Sequence, residues 1–215
     1  MLTVRQLTLI LPKAPLLYLN PLNEAMKWAE INTPARMAAF LAQTGHESGQ
    51  FTKMKESMNY SVEGLLATFK RDRISKIDAE RVGRTAVRPA LQADIGNLLY
   101  GGAWGKKKLG NTEPNDGIRF IARGPIGITG RANYEAAGKA LGYDLVNHPE
   151  QLEQPGPGLM SSAWYWKTNK LNALADAGKI TQIGGKINTG DEDKIPLHAE
   201  ERAALYAKAL KVLTS

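Results

Sequence analysis

A mainly α-helical fold is predicted by three observations. Apolar residues recur at helical spacing through residues 33–47 and again through 199–213, N-capping residues stand directly ahead of several such runs, and no sustained strand-type alternation or internal repeat competes with them. The chain contains no cysteine, so packing alone must hold the helices together.

Residues 1–31 read as a short helix, a turn marked by Pro12, Pro15 and Pro21, and a second helix around Leu22 to Ala29. Thr33 then caps a helix that starts at Pro34, whose missing N–H would have had no intrahelical partner, and runs to Glu47. Its stripe of Met37, Phe40, Leu41 and Thr44 is expected to be buried. Ser61 caps a helix over residues 62–69 with Glu63 near its positive end, and further helix is expected from Asp78 to Val82 and from Pro89 to Leu99. Residues 100–117 are rich in breakers and are expected to form an irregular loop, followed by a short extended piece from Ile118 to Ala122. Helices are then predicted from Ala132 to Leu141, from Leu159 to Trp166 and from Ala199 to Leu213. The Trp164-Tyr165-Trp166 cluster suits core packing better than a sugar platform.

With 215 residues, 43% of them hydrophobic and 23% charged, the chain has the composition of a globular protein and is expected to form one domain, 1–215, with a smaller lobe from about residue 60 to 115. A formal charge of +7 implies attraction to polyanions such as nucleic acid, anionic lipid or an acidic cell-wall polymer. The first thirteen residues hold too short an apolar run for a signal peptide, and no segment is long enough to span a bilayer, so accumulation in the cytoplasm is expected.

Glu47 and Glu56, nine positions apart, are the leading candidates for chemistry. Glu47 lies seven residues beyond Phe40, hence at nearly the same azimuth at about 100° per residue. It stands at the negative end of the helix dipole, so burial and the dipole both favour its protonated form, as a general acid requires. Glu56 has Lys53 and Lys55 nearby and Ser57, Asn59 and Tyr60 after it, neighbours expected to favour a carboxylate and thus a general base. His46 beside Glu47 hints at a zinc motif, but position 50 is Gln50, the other histidines are only His148 and His198, and thiolates are absent; no metal or organic cofactor is expected. The glycines at 124, 127 and 130 lack the lysine and hydroxyl ending of a phosphate loop and read as turn formers.

Four separated segments resemble one family. Phe40-Leu41-Ala42-Gln43-Thr44-Gly45-His46-Glu47-Ser48-Gly49 is similar to the signature of family 19 glycoside hydrolases, the chitinase and phage endolysin group, in which the glutamate after histidine is the general acid. Glu56-Ser57-Met58-Asn59-Tyr60-Ser61 resembles the segment that bears the base in short phage and bacterial members, Arg123 to Tyr134 resembles the central motif, and Ile187-Asn188-Thr189-Gly190 resembles a late segment whose asparagine lines the cleft. The chain departs from the pattern at Gly127, where glutamine is usual, and at Phe120-Ile121-Ala122-Arg123, which lacks the common Tyr-x-Gly-Arg opening.

The resemblance implies a lysozyme-like helical fold with two lobes around a substrate cleft. It implies catalysis by Glu47, Glu56 and Thr129, the last positioning the attacking water, with Asn133, Asn188, Tyr60 and Arg123 binding substrate. For inversion the two carboxyl groups should stand roughly 6.5 to 9.5 Å apart, against about 5 Å in a retaining pair. A small, basic, cysteine-free chain resembles an endolysin: a monomer that degrades peptidoglycan after a holin opens the inner membrane, with no nucleic-acid partner. Alternatives are a chitinase, a lytic transglycosylase that needs a single acid, and a non-catalytic wall-binding module.

Overall fold

The computed structural model describes residues 1–215. Thirteen α-helices follow one another along the chain: α1 Val4–Ile10, α2 Leu19–Trp28, α3 Pro34–Glu47, α4 Val62–Thr68, α5 Lys76–Val82, α6 Gln92–Tyr100, α7 Gly102–Leu109, α8 Asp116–Arg119, α9 Arg131–Leu141, α10 Pro155–Thr168, α11 Leu171–Asp176, α12 Ile180–Thr189 and α13 Ala199–Thr214. Two 3-10 turns, Leu16–Tyr18 and Pro149–Glu153, complete the regular structure. Extended pairing is limited to isolated bridges: Lys55 with Arg123, Ser61 with Arg84, and Arg123 with Ile128.

The helices divide between two compact units. The first comprises residues 1–54, 124–127 and 150–215, and the second comprises 55–123 and 128–149, a span that contains the whole of 60–115. In the first unit α3 is the central helix. Thr33 caps it by accepting from the Arg36 N–H at 3.3 Å, with Pro34 in the first turn as expected. Burial extends beyond the predicted stripe, because Ala38 through Gly45 are all buried. Small side chains permit that enclosure: a Cβ on Gly45 would lie 2.7 Å from a Leu11 methyl. Phe40 meets Trp166 edge-on at 5.3 Å, which places Trp166 in the core, its indole N–H donating to Asn172 at 2.9 Å.

The second unit has its own core of Met58, Leu65, Ile74, Ala79, Val82, Ile95, Leu99 and Ile121. Ser61 caps α4 as predicted, through a 3.0 Å bond from the Gly64 N–H. Helix α6 starts at Gln92 and not at Pro89, since the Leu91 N–H returns to the Val82 carbonyl at 2.8 Å and holds the preceding segment irregular.

Two further expectations are corrected. Residues 100–117 are not an irregular loop, because α7 and α8 form within them. Gly101 supplies the break before α7, three lysines sit in its last turn where the dipole is negative, and Gly110 closes it in a left-handed conformation (φ 67°). The extended piece expected at 118–122 is not formed as such: Ile118 and Arg119 end α8, which is capped where the Phe120 N–H reaches the Asp116 carbonyl, and residues 121–122 follow as irregular chain. Helices α11 and α12 had no sequence prediction. They follow left-handed or turn residues at Lys170 and Gly178, with Leu171, Ala175, Ile180 and Ile183 as buried apolar anchors and Leu174 and Ile187 partly buried beside them.

A polar brace in the second unit fixes the α6–α7 junction. Asn111 donates to the Tyr100 carbonyl at 2.8 Å and accepts from the Arg131 N–H at 2.8 Å. The Arg131 guanidinium holds the buried Asp116 carboxylate through two bonds of 2.7 and 2.6 Å. Burial alone would push Asp116 up, but Arg131 and the amides at Glu113 and Thr112 together hold it below the usual carboxylate range. At the same junction a Cβ added to Gly105 would stand only 1.9 Å from the Tyr100 carbonyl oxygen. Gly105→Ala is therefore expected to destabilise the chain by about 1–3 kcal/mol, the usual range for forced overpacking, as read from urea unfolding; Ala103→Gly, on the same helix at an exposed position, should cost at most about 1 kcal/mol.

Candidate active-site residues

Glu47 closes α3, and the chain turns away sharply after it. Gly49, Gln50 and Phe51 take left-handed φ values of 56°, 62° and 66°. Ser48 anchors this reversal by donating to the Thr44 carbonyl at 2.6 Å and accepting from the Phe51 N–H at 2.8 Å. The Phe51 ring, stacked on Tyr18 at 4.9 Å, returns the segment to the first core.

The carboxylate of Glu47 does not enter apolar surroundings, as the helical azimuth suggested. It meets the guanidinium of Arg202 on α13, which donates to Oε1 at 2.6 Å. Arg202 is 2% exposed and also donates to Gln43 Oε1 at 2.7 Å and to the Leu197 carbonyl at 2.9 Å. Leu197 is fixed from its other side, its N–H donating to Asn188 Oδ1 at 3.0 Å. Asn188, expected to bind substrate, thus grips the loop that carries one of the three acceptors of Arg202. His46 lies within reach of the same cluster, 3.9 Å from Glu201 and 5.6 Å between ring centres from His198. Burial and the nearby guanidinium both depress its basicity, which favours neutral imidazole.

Glu56 belongs to the second unit, in an extended stretch whose side chains alternate: Glu56 and Met58 turn inward, while Lys55, Ser57 and Asn59 are exposed. That alternation overturns the expectation that neighbouring lysines keep Glu56 ionised, because Lys55 projects to the opposite face. Burial raises the Glu56 carboxyl above its ordinary range, opposed by hydrogen bonds at Tyr100 and the Ala122 backbone. The Tyr100 hydroxyl donates to both carboxylate oxygens, at 2.9 and 3.0 Å, and the Glu56 N–H donates to the Ala122 carbonyl at 2.9 Å. Tyr60 is half-buried, edge-on to Phe69 at 5.4 Å, and its own hydroxyl is pushed up by burial and by the Glu56 charge.

The central motif forms a tight turn. Arg123 and Ile128 exchange backbone hydrogen bonds of 3.1 and 2.9 Å, and Thr129 follows, half-buried. Asn133 is exposed on α9, its amide donating to the Thr129 carbonyl at 2.8 Å. Arg123 is 7% exposed and donates to the Arg119 carbonyl at 2.7 Å and the Tyr134 hydroxyl at 3.1 Å, so its guanidinium braces the second unit. Gly127 has φ of 76°, in the left-handed region that glycine adopts without strain. Within each unit the structure therefore gathers Glu47 with Arg202 and, through Leu197, Asn188; and Glu56 with Tyr60 and Tyr100. Arg202 and Tyr100 escaped sequence reasoning because they lie 155 and 44 positions from the glutamates they bind. Only the cost of a lone buried guanidinium flags such a residue, and burial is not legible in one sequence.

Comparison with known proteins agrees with this architecture. Residues 107–199 match the model of the family described as chitinase class I. A glycosyl hydrolase family 19 domain-containing protein of Haemophilus influenzae is 37% identical over 159 residues, covering 73% of this chain and 74% of that protein. Chitinase 11 of Oryza sativa subsp. japonica is 39% identical over 67 residues, which span 31% of this chain and 26% of the rice protein. Among solved structures, chitinase C from Streptomyces griseus superposes with a TM-score of 0.63 at 21% identity, covering 99% of this chain and 76% of its own. A bacterial family 19 chitinase gives a TM-score of 0.61 at 21% identity, covering 98% and 94%. These solved neighbours share the lysozyme-like helical fold. On the strength of the Haemophilus relative and the matching family model, the chain belongs to glycosyl hydrolase family 19, as a glycoside hydrolase.

Proposed function

We propose that this glycoside hydrolase is an endolysin that cleaves β-1,4 bonds of bacterial peptidoglycan with inversion, Glu47 protonating the leaving oxygen and Glu56 activating water with help from Thr129. Asn133 and Tyr60 serve the sugar-binding side of the second unit, Arg123 supports it from within through the Arg119 carbonyl and the Tyr134 hydroxyl, and Asn188 acts through Leu197 and Arg202. The observation that carries the substrate reading is charge. The second unit holds 15 Lys and Arg against 10 Asp and Glu, whereas the first holds 13 against 11, so most of the basic excess lies in the unit that carries Glu56. Peptidoglycan carries peptide carboxylates and suits such a surface, while chitin is uncharged. Action as a monomer, with a holin giving access to the wall, belongs to the same proposal; no helix of the chain is long and apolar enough to cross a membrane.

A second reading, chitin hydrolysis, is favoured by the names of the relatives, several of which are chitinases or endochitinases. Fragment mass spectrometry separates the two. Purified peptidoglycan and chitin are each treated with the chain and with Glu47→Gln. Hydrated reducing-end sugars from peptidoglycan that vanish in the variant are the expected result; soluble products from chitin alone would replace the endolysin reading with the chitinase one. Anhydro sugars would instead indicate a lytic transglycosylase, and fragments from neither polymer a binding module.

The acid and base roles follow the family resemblance, and the base role runs against the burial of Glu56. Burial favours the protonated form of Glu56, so exchanged roles have an observation of their own. Leaving-group chemistry decides the matter, because an activated aryl glycoside does not need protonation to depart. Glu47→Gln should lose roughly 10²- to 10⁴-fold on the natural polymer and recover much of it on the aryl substrate, while Glu56→Gln should stay slow on both. The reverse pattern would assign the acid to Glu56.

Arg202→Met removes the donor shared by Gln43 and Glu47 and is expected to destabilise the chain by about 3 kcal/mol in urea unfolding. In combination with Glu47→Gln the loss should be smaller than the sum of the two single effects by about 1 kcal/mol, since the uncompensated charge is then gone.

A further inference from the structure

We infer that Tyr100 is a positioning residue for Glu56, aiming its carboxylate and holding it as the anion that a general base requires. The inference rests on the proposed role of Glu56 as base. Its geometry is specific: one hydroxyl lies 2.9 Å from Oε1 and 3.0 Å from Oε2. A donor equidistant from both oxygens sits near the bisector of the carboxylate. It fixes the direction in which the group points and leaves an outer lone pair on each oxygen for a water molecule. A hydroxyl needing only its own satisfaction would engage one oxygen.

The position of Tyr100 is itself strongly determined. Its carbonyl is held by Asn111, whose side chain also binds the Arg131 N–H, and Arg131 is locked to Asp116. Gly105 packs against the same carbonyl at a distance no larger residue permits. The ionisable and charged groups around the pair are Tyr60 on the segment of Glu56, Tyr100 at the end of α6, and Arg73 ahead of α5, which acts on Tyr100 while stacked over Trp104 at 3.3 Å. None of these is a carboxylate, so no second acid competes with Glu56 for the hydroxyl.

The chemistry has a definite sign. The hydroxyl stabilises the ionised form, and burial opposes it. Removing the hydroxyl leaves burial unopposed on that side, so Glu56 should hold its proton to higher pH. Reciprocally, the Glu56 charge and burial hold the Tyr100 hydroxyl well above its ordinary range, so it stays a donor throughout the working pH range.

The test is carboxyl carbon NMR titration of glutamate-labelled protein, comparing the native chain with Tyr100→Phe and, as a control, Tyr60→Phe. The Glu56 midpoint should rise by about one to two pH units in Tyr100→Phe, the range expected for loss of a hydrogen bond to a charged group. It should move far less in Tyr60→Phe; a midpoint unchanged or lowered in Tyr100→Phe overturns the inference. On a substrate the native chain hydrolyses, the acidic limb of the rate profile should shift by the same amount, with kcat falling and KM nearly constant. If Glu56→Gln keeps full turnover, the base assignment fails, and the titration still decides whether Tyr100 controls the carboxylate. Should Tyr100→Phe not fold, the phenol titration of Tyr100 in Glu56→Gln takes its place: its midpoint should fall once the neighbouring charge is removed, and an unchanged midpoint overturns the inference.

Discussion

A guanidinium withdrawn from water must have its donors matched, and in the first unit that requirement organises everything around Glu47. Arg202 is 2% exposed and spends its donors on Gln43, Glu47 and the Leu197 carbonyl. Each acceptor is fixed in turn: Gln43 and Glu47 by the buried helix α3, and Leu197 by Asn188 at the end of α12. The α3–α13 packing is thus more than apolar contact, because one charged group sets the register between two helices and the orientation of a candidate catalytic carboxylate. The Gln43 Nε2 group is buried without a partner, so the network is committed to the arginine at some cost in unsatisfied polarity.

The two glutamates are held by opposite means. Glu47 is bound by a cation on the far side of the sequence, whereas Glu56 is bound by a neutral hydroxyl inside a more apolar enclosure. A charge fixes position through a strong attraction; a phenol fixes direction and favours the ionised carboxyl against its burial. For Glu56 the outcome is opposite to the one that nearby lysines suggested, because burial raises its carboxyl.

Local signals were legible where local physics decides. Thr33 and Ser61 cap the helices they were expected to cap, and Phe40 and Leu41 are fully buried. Periodicity failed at α7, where Gly105 looks like a breaker yet is demanded by close approach to the Tyr100 carbonyl, and at α11 and α12, whose few buried apolar anchors give little pattern. The candidate glutamates could be named from motif and spacing. Their protonation environments could not, because strand alternation turned Lys55 away from Glu56, and Arg202 approaches Glu47 only through tertiary packing.

The chain order of the two units carries a consequence for how the molecule assembles. All of the second unit is complete by residue 149, so Glu56 and Tyr100 can find each other through contacts made within one stretch interrupted only by 124–127. Glu47, by contrast, is synthesised early and waits for a partner 155 positions downstream. Loop closure over that distance is entropically slow, and until it occurs the core helix α3 lacks its main counterpart. Vectorial synthesis therefore matures the two carboxylates at different times, and the one on α3 acquires its final surroundings only when the last long helix docks.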